Sequence, residues 1–477
     1  MWKFQILMSA TGRPPGDLGR SIRDAAGYAW PMGAITNRSP RLRRIQAGFL
    51  LVFCAGCAAT GPRDFASLAA ELDATLPEVI ERGESPSTQV AVVRGQDIWS
   101  RAFGENTSTA HVYMNGSVQK VFTAAAVLQL VERGLIGLDE DVGDYVPFPV
   151  RHPGYPETPI TMRMLLAHRA GLDAFRYQFE WDTESVFAPE YRPSAPAQVQ
   201  ALSHEGYLMA SLAPGGSNSD PRAWIHEPGR EYHYSVSAYP LLRYVVGRVS
   251  GQSYAEYMRE NIFLPLGMTG SGFSATEFAS RHATPYTRID GENIELPVWD
   301  GQGAMMHTTA EDMARFLAAL MNGGRYGDVQ VLQPETIVQM QRRTTRFTRL
   351  SLFKGKDDLV RSGHGLGLFV FRGGWMGHGG SAPGFQCLFR YDPSRQVGYV
   401  IMSNVNAILG GGDNYASARN DLFEVQDGLI SILDPQFGLH RLTLIELGYL
   451  GVVGTFIIIV IPFWVRRRNA KRAGGVA

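Results

Sequence analysis

Apolar residues recur at regular spacings along most of the chain, and each spacing names an element. Leu68, Leu72, Leu76 and Ile80 stand four apart within residues 65–82, one stripe of an amphipathic helix. Residues 89–93 and 98–103 then alternate about Arg94-Gly95-Gln96-Asp97, which reads as a hairpin. From Ser117 to Gly134 the chain is apolar almost all round and closes on glycine, so a buried helix is expected there. Another helix opens at Thr161 and stops before Gly171. Residues 232–234 read as extended, 239–249 and 254–263 as helical. Thr308-Thr309-Ala310-Glu311 resembles a helix start, with the stop at Asn322-Gly323-Gly324. Residues 367–371, 386–391 and 398–403 look like strands, with a tight turn at Asp392-Pro393-Ser394.

Strands at both ends of this span and helices between them imply an α+β fold, one sheet assembled from distant segments with a helical subdomain inserted. A pocket then belongs where the two parts meet. Residues 173–229 carry the weakest pattern, and a long irregular segment in a compact domain is more often a lid or pocket wall than filler.

The two ends follow different patterns. Residues 1–59 read as an N-terminal extension and a signal: Arg41, Arg43 and Arg44 precede a short apolar run from Ile45 to Ala59. A start at Met32 would give that signal a normal length. Ala55-Gly56 before Cys57 resembles a lipoprotein signal, which leaves lipidation of Cys57 and plain cleavage both open. Residues 436–465 read as a juxtamembrane segment and a transmembrane helix, because 447–465 holds no charge and would span about 28 Å. Residues 466–477 form a basic tail, which the positive-inside rule places in the cytoplasm. Both ends therefore predict a globular domain at 60–435 on the outer face of a membrane.

Composition removes some classes of function. The 45 basic side chains equal the 45 acidic ones, so no basic field argues for nucleic acid. Cys387 is the one cysteine outside the N-terminal segment and reads as a small buried apolar residue. His168, His364 and His378 lack ligand spacing, so no metal is expected and no cofactor is implied.

The candidate chemistry sits at the head of the central helix. Ser117 and Lys120 are three apart and face the same way, so hydroxyl and amine can meet. Ser-x-x-Lys alone is a common coincidence. Its context is not: the chain has five lysines against forty arginines, and of the two types only lysine can take part in proton transfer.

With those residues in place, the stretches 115–147, 161–172, 228–273, 308–324 and 377–404 together resemble the β-lactamase-related serine hydrolases. That group takes in class C β-lactamases, penicillin-binding proteins, D-aminopeptidases and family VIII carboxylesterases. The resemblance implies a β-lactamase/transpeptidase-like fold, an antiparallel sheet flanked by helices. It also implies Ser117 as the acylated nucleophile and Lys120 as its activator. Tyr234 in Tyr-Ser-Val matches the family's tyrosine, with Tyr232 as the competing position. Free tyrosine titrates near pH 10, and a neighbouring ammonium makes it a better base. His378-Gly379-Gly380 matches the third motif, expected on an edge strand. Gly379 and Gly380 would let substrate approach, and the amides of Ser117 and Ser381 would form the oxyanion hole.

Two departures bear on the substrate. Val236 stands where β-lactamases and peptidases usually have asparagine, and His378 replaces a fixed positive charge. Both weaken recognition of anionic amides and point to a small-molecule ester. Cell-wall peptides, as substrates of a D,D-carboxypeptidase, D-aminopeptidase or weak β-lactamase, are the alternative. A non-catalytic envelope binding module is the other.

Overall fold

The structure, a computed structural model, describes residues 64–104, 106–173, 203–298, 305–347, 361–406 and 412–433. The signal segment with Met32 and Cys57, the predicted membrane helix at 447–465, the basic tail and most of the poorly patterned segment lie outside those residues. Among the described residues no helix is long and apolar enough to cross a membrane.

Strands β1 (Ser87–Arg94), β2 (Asp97–Gly104), β3 (Thr345–Arg346), β4 (Arg361–His364), β5 (Phe369–Phe371), β6 (Met376–Ala382), β7 (Phe385–Asp392) and β8 (Val397–Ser403) form one sheet in the order β2-β1-β8-β7-β6-β5-β4-β3. Every pairing in it is antiparallel. Its centre joins the ends of the domain, with Val90 opposite Ile401. Helices α1 (Phe65–Glu81), α2 (Gln119–Glu132), α3 (Met162–Leu166), α4 (His204–Leu212), α5 (Ala238–Ser250), α6 (Tyr254–Met258), α7 (Ala310–Met321) and α8 (Pro334–Gln341) precede or interrupt the sheet, and α9 (Gly412–Leu433) follows it. All but α1 and α9 fall between β2 and β3, as the pattern of a helical insertion predicts.

Successive strand residues face opposite sides of a sheet, and here both sides are buried. Val90, Val92, Trp99, Tyr399 and Ile401 pack with Leu68, Leu72, Leu76 and Ile80 of α1 and with Leu422 and Leu429 of α9. Ala91, Val93, Phe389, Val400 and Met402 join the other core with α2 and α7. Nearly every residue of β1, β7 and β8 is therefore buried, whereas the edge strand β2 is partly exposed. Helix α2 lies inside the second core, where residues 119–130 are all buried. Phe122 stacks on Phe316 with ring centroids 4.0 Å apart. A helix locked along its whole length makes a rigid mount for whatever stands at its head.

Two expectations need correction. The third motif is not on an edge strand, since β5, β4 and β3 continue the sheet beyond β6. Yet β5 reaches only Met376 and Gly377, so the half of β6 from His378 to Ala382 has a strand neighbour on one side only. The segment 173–229 also holds a regular element, α4, whose start is capped by the Ser203 hydroxyl accepting from Gly206 N–H at 3.1 Å.

Candidate active site

Backbone fixes the nucleophile turn before any side chain contributes. Gly116 has φ 54°, where glycine carries no steric penalty, and begins the 3-10 turn Gly116–Val118 that runs into α2. On one flank Asn115 N–H donates to the Met306 carbonyl at 3.2 Å, and Met306 N–H donates to Gln119 Oε1 at 3.1 Å. On the other flank lies β6. A methyl group on Gly380 would fall 1.9 Å from the Asn115 carbonyl oxygen and 3.2 Å from Ser117 N, and one on Gly116 would fall 2.5 Å from Ser381 N.

The turn and the strand therefore meet backbone to backbone, with the Ser117 and Ser381 amides on either side of the contact. This corrects the reading of the glycines. Gly380 gives its space to the nucleophile turn, not to a substrate. Gly379 faces the opposite side of the sheet, where an added methyl would make an ordinary 3.6 Å contact with Leu388.

Lys120 is 2% exposed, and its Nζ donates to Ser117 Oγ at 3.2 Å. Nζ also lies 5.4 Å from the centroid of the Tyr234 ring and 5.3 Å from that of Tyr239. Tyr239 is a spectator: its hydroxyl donates to the Leu166 carbonyl at 3.1 Å, and burial pushes it well above the ordinary tyrosine range. Tyr234 is half-buried. Its rival Tyr232 packs instead against Phe347 and His364, with centroids 4.9 and 5.3 Å away. Position 234 is thus the half-buried phenol beside the lysine.

His378 is buried, with Nδ1 2.6 Å from the Gly379 carbonyl and its ring 4.9 Å from Phe369 and 6.0 Å from Tyr234. Val236 is 7% exposed in the turn that opens α5. Ser117, Lys120, Tyr234, His378 and Ser381 therefore converge from the Gly116–Val118 turn, α2, the 232–237 loop and β6.

Sequence reasoning treated His168 and His364 only as unsuitable metal ligands and missed that both rings enter this cluster. The His168 ring lies 4.5 Å from Tyr234, 5.3 Å from Tyr239 and 4.9 Å from His364. Burial, then the charges of His364, Lys120, His378 and His233, holds His168 well below the usual histidine range. Among the described residues no group of histidine, cysteine or carboxylate side chains has the arrangement to hold a metal ion.

Several known proteins are similar to this chain. A family profile described as Beta-lactamase matches residues 72–419. The protein flp of Staphylococcus aureus (strain N315) is 23% identical over 360 residues, 71% of this chain and 63% of that protein. The chain thus spans somewhat less than two thirds of such relatives. The putative penicillin-binding protein PbpX of Bacillus subtilis (strain 168) is 25% identical over 342 residues, 69% of this chain and 73% of that one. In structure, the octameric penicillin-binding protein homologue from Pyrococcus abyssi superposes with a TM-score of 0.59 at 21% identity, over 77% of this chain and 78% of that one. The D-amino acid amidase of Ochrobactrum anthropi SV3 gives 0.56 at 20% identity, over 75% and 98%. At these identities the superpositions speak to fold alone.

Proposed function

The chain belongs to the β-lactamase family, and from that premise we propose that it is a serine hydrolase that cleaves an ester or amide through an acyl group held on Ser117. The observation that carries this reading is the 3.2 Å contact between Lys120 Nζ and Ser117 Oγ, in a buried site beside the Tyr234 ring. Ser117 Oγ attacks the substrate carbonyl as its proton passes to Lys120, in its neutral form, or to Tyr234. The oxygen that gains charge lies against the amides of Ser117 and Ser381. Collapse breaks the bond to the leaving group, which takes up the proton. Water, activated by the same pair, then attacks the acyl carbonyl and frees Ser117.

Substrate preference follows from what lines the cleft. Valine at 236 offers no hydrogen bond to an amide, and His378 is buried against Phe369 rather than presenting a fixed cation. Esters with uncharged acyl groups suit such a wall. A second reading, cleavage of D-amino amides or peptides, is supported by the likeness in fold to a D-amino acid amidase. The uncharged run at 447–465 and the basic residues after it support a membrane anchor, with the hydrolase on the outer face.

A fluorophosphonate probe tests the core of the reading. It is expected to label the wild type and not Ser117→Ala. Equal labelling of both would remove Ser117 from the mechanism.

A further inference from the structure

Tyr234 sits in a loop, not in a strand or helix, so something other than a ladder must hold its phenol in place. We propose that His168 is the positioning residue for Tyr234: it takes the amide hydrogens of both neighbours of that tyrosine and supplies the ring that the phenol lies against. The proposal rests on the role given to Tyr234 above.

His233 N–H donates to the His168 carbonyl at 2.9 Å, and Ser235 N–H donates to His168 Nδ1 at 3.0 Å. One residue thus holds the backbone on each side of position 234. His168 meets both amides from a left-handed conformation, φ 55°, which is uncommon for a non-glycine residue and needs support from its surroundings. The support continues along the chain: Gly229 N–H donates to the Arg169 carbonyl at 2.7 Å and Ile225 N–H to the Gly171 carbonyl at 2.8 Å. Residues 168–171, directly after α3, act as a template for the 225–235 loop.

The second hydrogen bond requires a particular state of the ring. An amide N–H can donate to Nδ1 only if that nitrogen carries no proton, so the imidazole must be neutral with its hydrogen on Nε2. Nε2 is buried and has no hydrogen-bond partner among the described residues. The charged or titratable groups packed around the ring are Lys120 from α2, His364 from β4, His378 from β6, His233, Tyr232 and Tyr234 from the loop, and Tyr239 from α5. Asp173 pairs with His233 at 3.5 Å. Burial among cations and rings favours the neutral form, which is the form the clamp uses.

Three variants of the full chain separate the possibilities: His168→Asn, His168→Gly and Tyr234→Phe. Asparagine tolerates the left-handed conformation and offers Oδ1 as an acceptor in place of Nδ1; glycine relieves the backbone and offers none. With p-nitrophenyl butyrate as the probe, His168→Gly is expected to lose about 100-fold in acylation rate, the scale of a misplaced catalytic group, with KM little changed. His168→Asn is expected to recover most of that loss. Equal acylation rates in the two folded variants would overturn the proposal. Wild-type acylation in Tyr234→Phe would instead overturn the role of the tyrosine and leave the clamp standing as structure. Should the glycine variant fail to fold, imidazole ¹⁵N shifts of the wild type at about pH 6 decide: a neutral ring protonated on Nε2 supports the clamp, and a cationic ring or one protonated on Nδ1 contradicts it.

Discussion

The two walls of the cleft are held in different ways. On the nucleophile wall, backbone packs on backbone: Gly116 against Ser381, Gly380 against Asn115, with Met306 bonded to the turn from the far side. On the tyrosine wall a loop hangs from hydrogen bonds, to the carbonyls of His168, Arg169 and Gly171 and to the His168 imidazole. Backbone contact with no room for a Cβ leaves a serine little freedom, which suits an atom that must attack along one line. A loop pinned by an imidazole depends on the protonation state of that ring. The comparison teaches that the nucleophile is held by steric contact between backbones and Tyr234 by hydrogen bonds, one of which needs a neutral imidazole.

The largest effect is expected from Ser117→Ala, which removes the attacking atom while leaving both walls in place. Turnover should fall by about 10⁴-fold or more, read as product release per mole of enzyme, with the fold unchanged by circular dichroism. Gly380→Ala comes next because it breaks the backbone contact itself. The new methyl would sit 1.9 Å from a carbonyl oxygen, so the turn must shift. A loss of about 100-fold in acylation is expected from such a displacement, with about 1–3 kcal/mol of stability by denaturant melts. Wild-type rates in this variant would mean that the turn is not held as described.

Much of the nucleophile wall was legible in the sequence, because its signals are local. Ser117 and Lys120 are three apart, the helix behind them is uniformly apolar, and the scarcity of lysine marks the pair. The hairpin at 94–97 and the Thr309 cap, where the hydroxyl accepts from Asp312 N–H at 3.1 Å, are local in the same sense. The tyrosine wall was legible only in part. His168 meets Ser235 across 67 positions, and one histidine after a helix carries no mark of that bond. Gly380 was recognised as important and given the wrong neighbour, since spacing cannot say which face of a strand another backbone will approach. The strand at β5 was expected at 367–371, but β3 and β4 were missed because they are too short to show alternation, and α9 because its pairing partner, α1, lies at the other end of the domain.

Acid should loosen the two walls together. His168 is held below its ordinary value, and burial, with His282 beside it, pushes His307 down to about 3; His307 lies in the ladder opposite Met114, next to the nucleophile turn. Each is neutral when folded and binds a proton more readily when unfolded. Their contribution is therefore complete above about pH 6.5 and is lost as pH falls from there through the folded values. Thermal midpoints are expected to decline from pH 7 to pH 4, and to decline less steeply in His307→Gln. Parallel curves for variant and wild type would exclude that histidine.

Val236→Asn probes the tyrosine wall for substrate rather than for strength. Adding an amide where none exists is expected to raise the rate of adduct formation with a fluorescent penicillin by about tenfold at most, the worth of one good hydrogen bond. The smallest effect belongs to Gly379→Ala. It lies on the same strand as Gly380 but on the opposite face, and its stability should stay within about 0.5 kcal/mol of the wild type. A large loss there would erase the distinction between the two glycines.

Intact-mass spectrometry after incubation with a mixed panel of esters, D-amino peptides and a penicillin, followed by peptide mapping, tests the central claim most directly. The account predicts a transient acyl adduct on the peptide that contains Ser117, longer-lived when Tyr234 is phenylalanine and absent in Ser117→Ala. Turnover of any panel member without such an adduct, or an adduct that persists in Ser117→Ala, would contradict it.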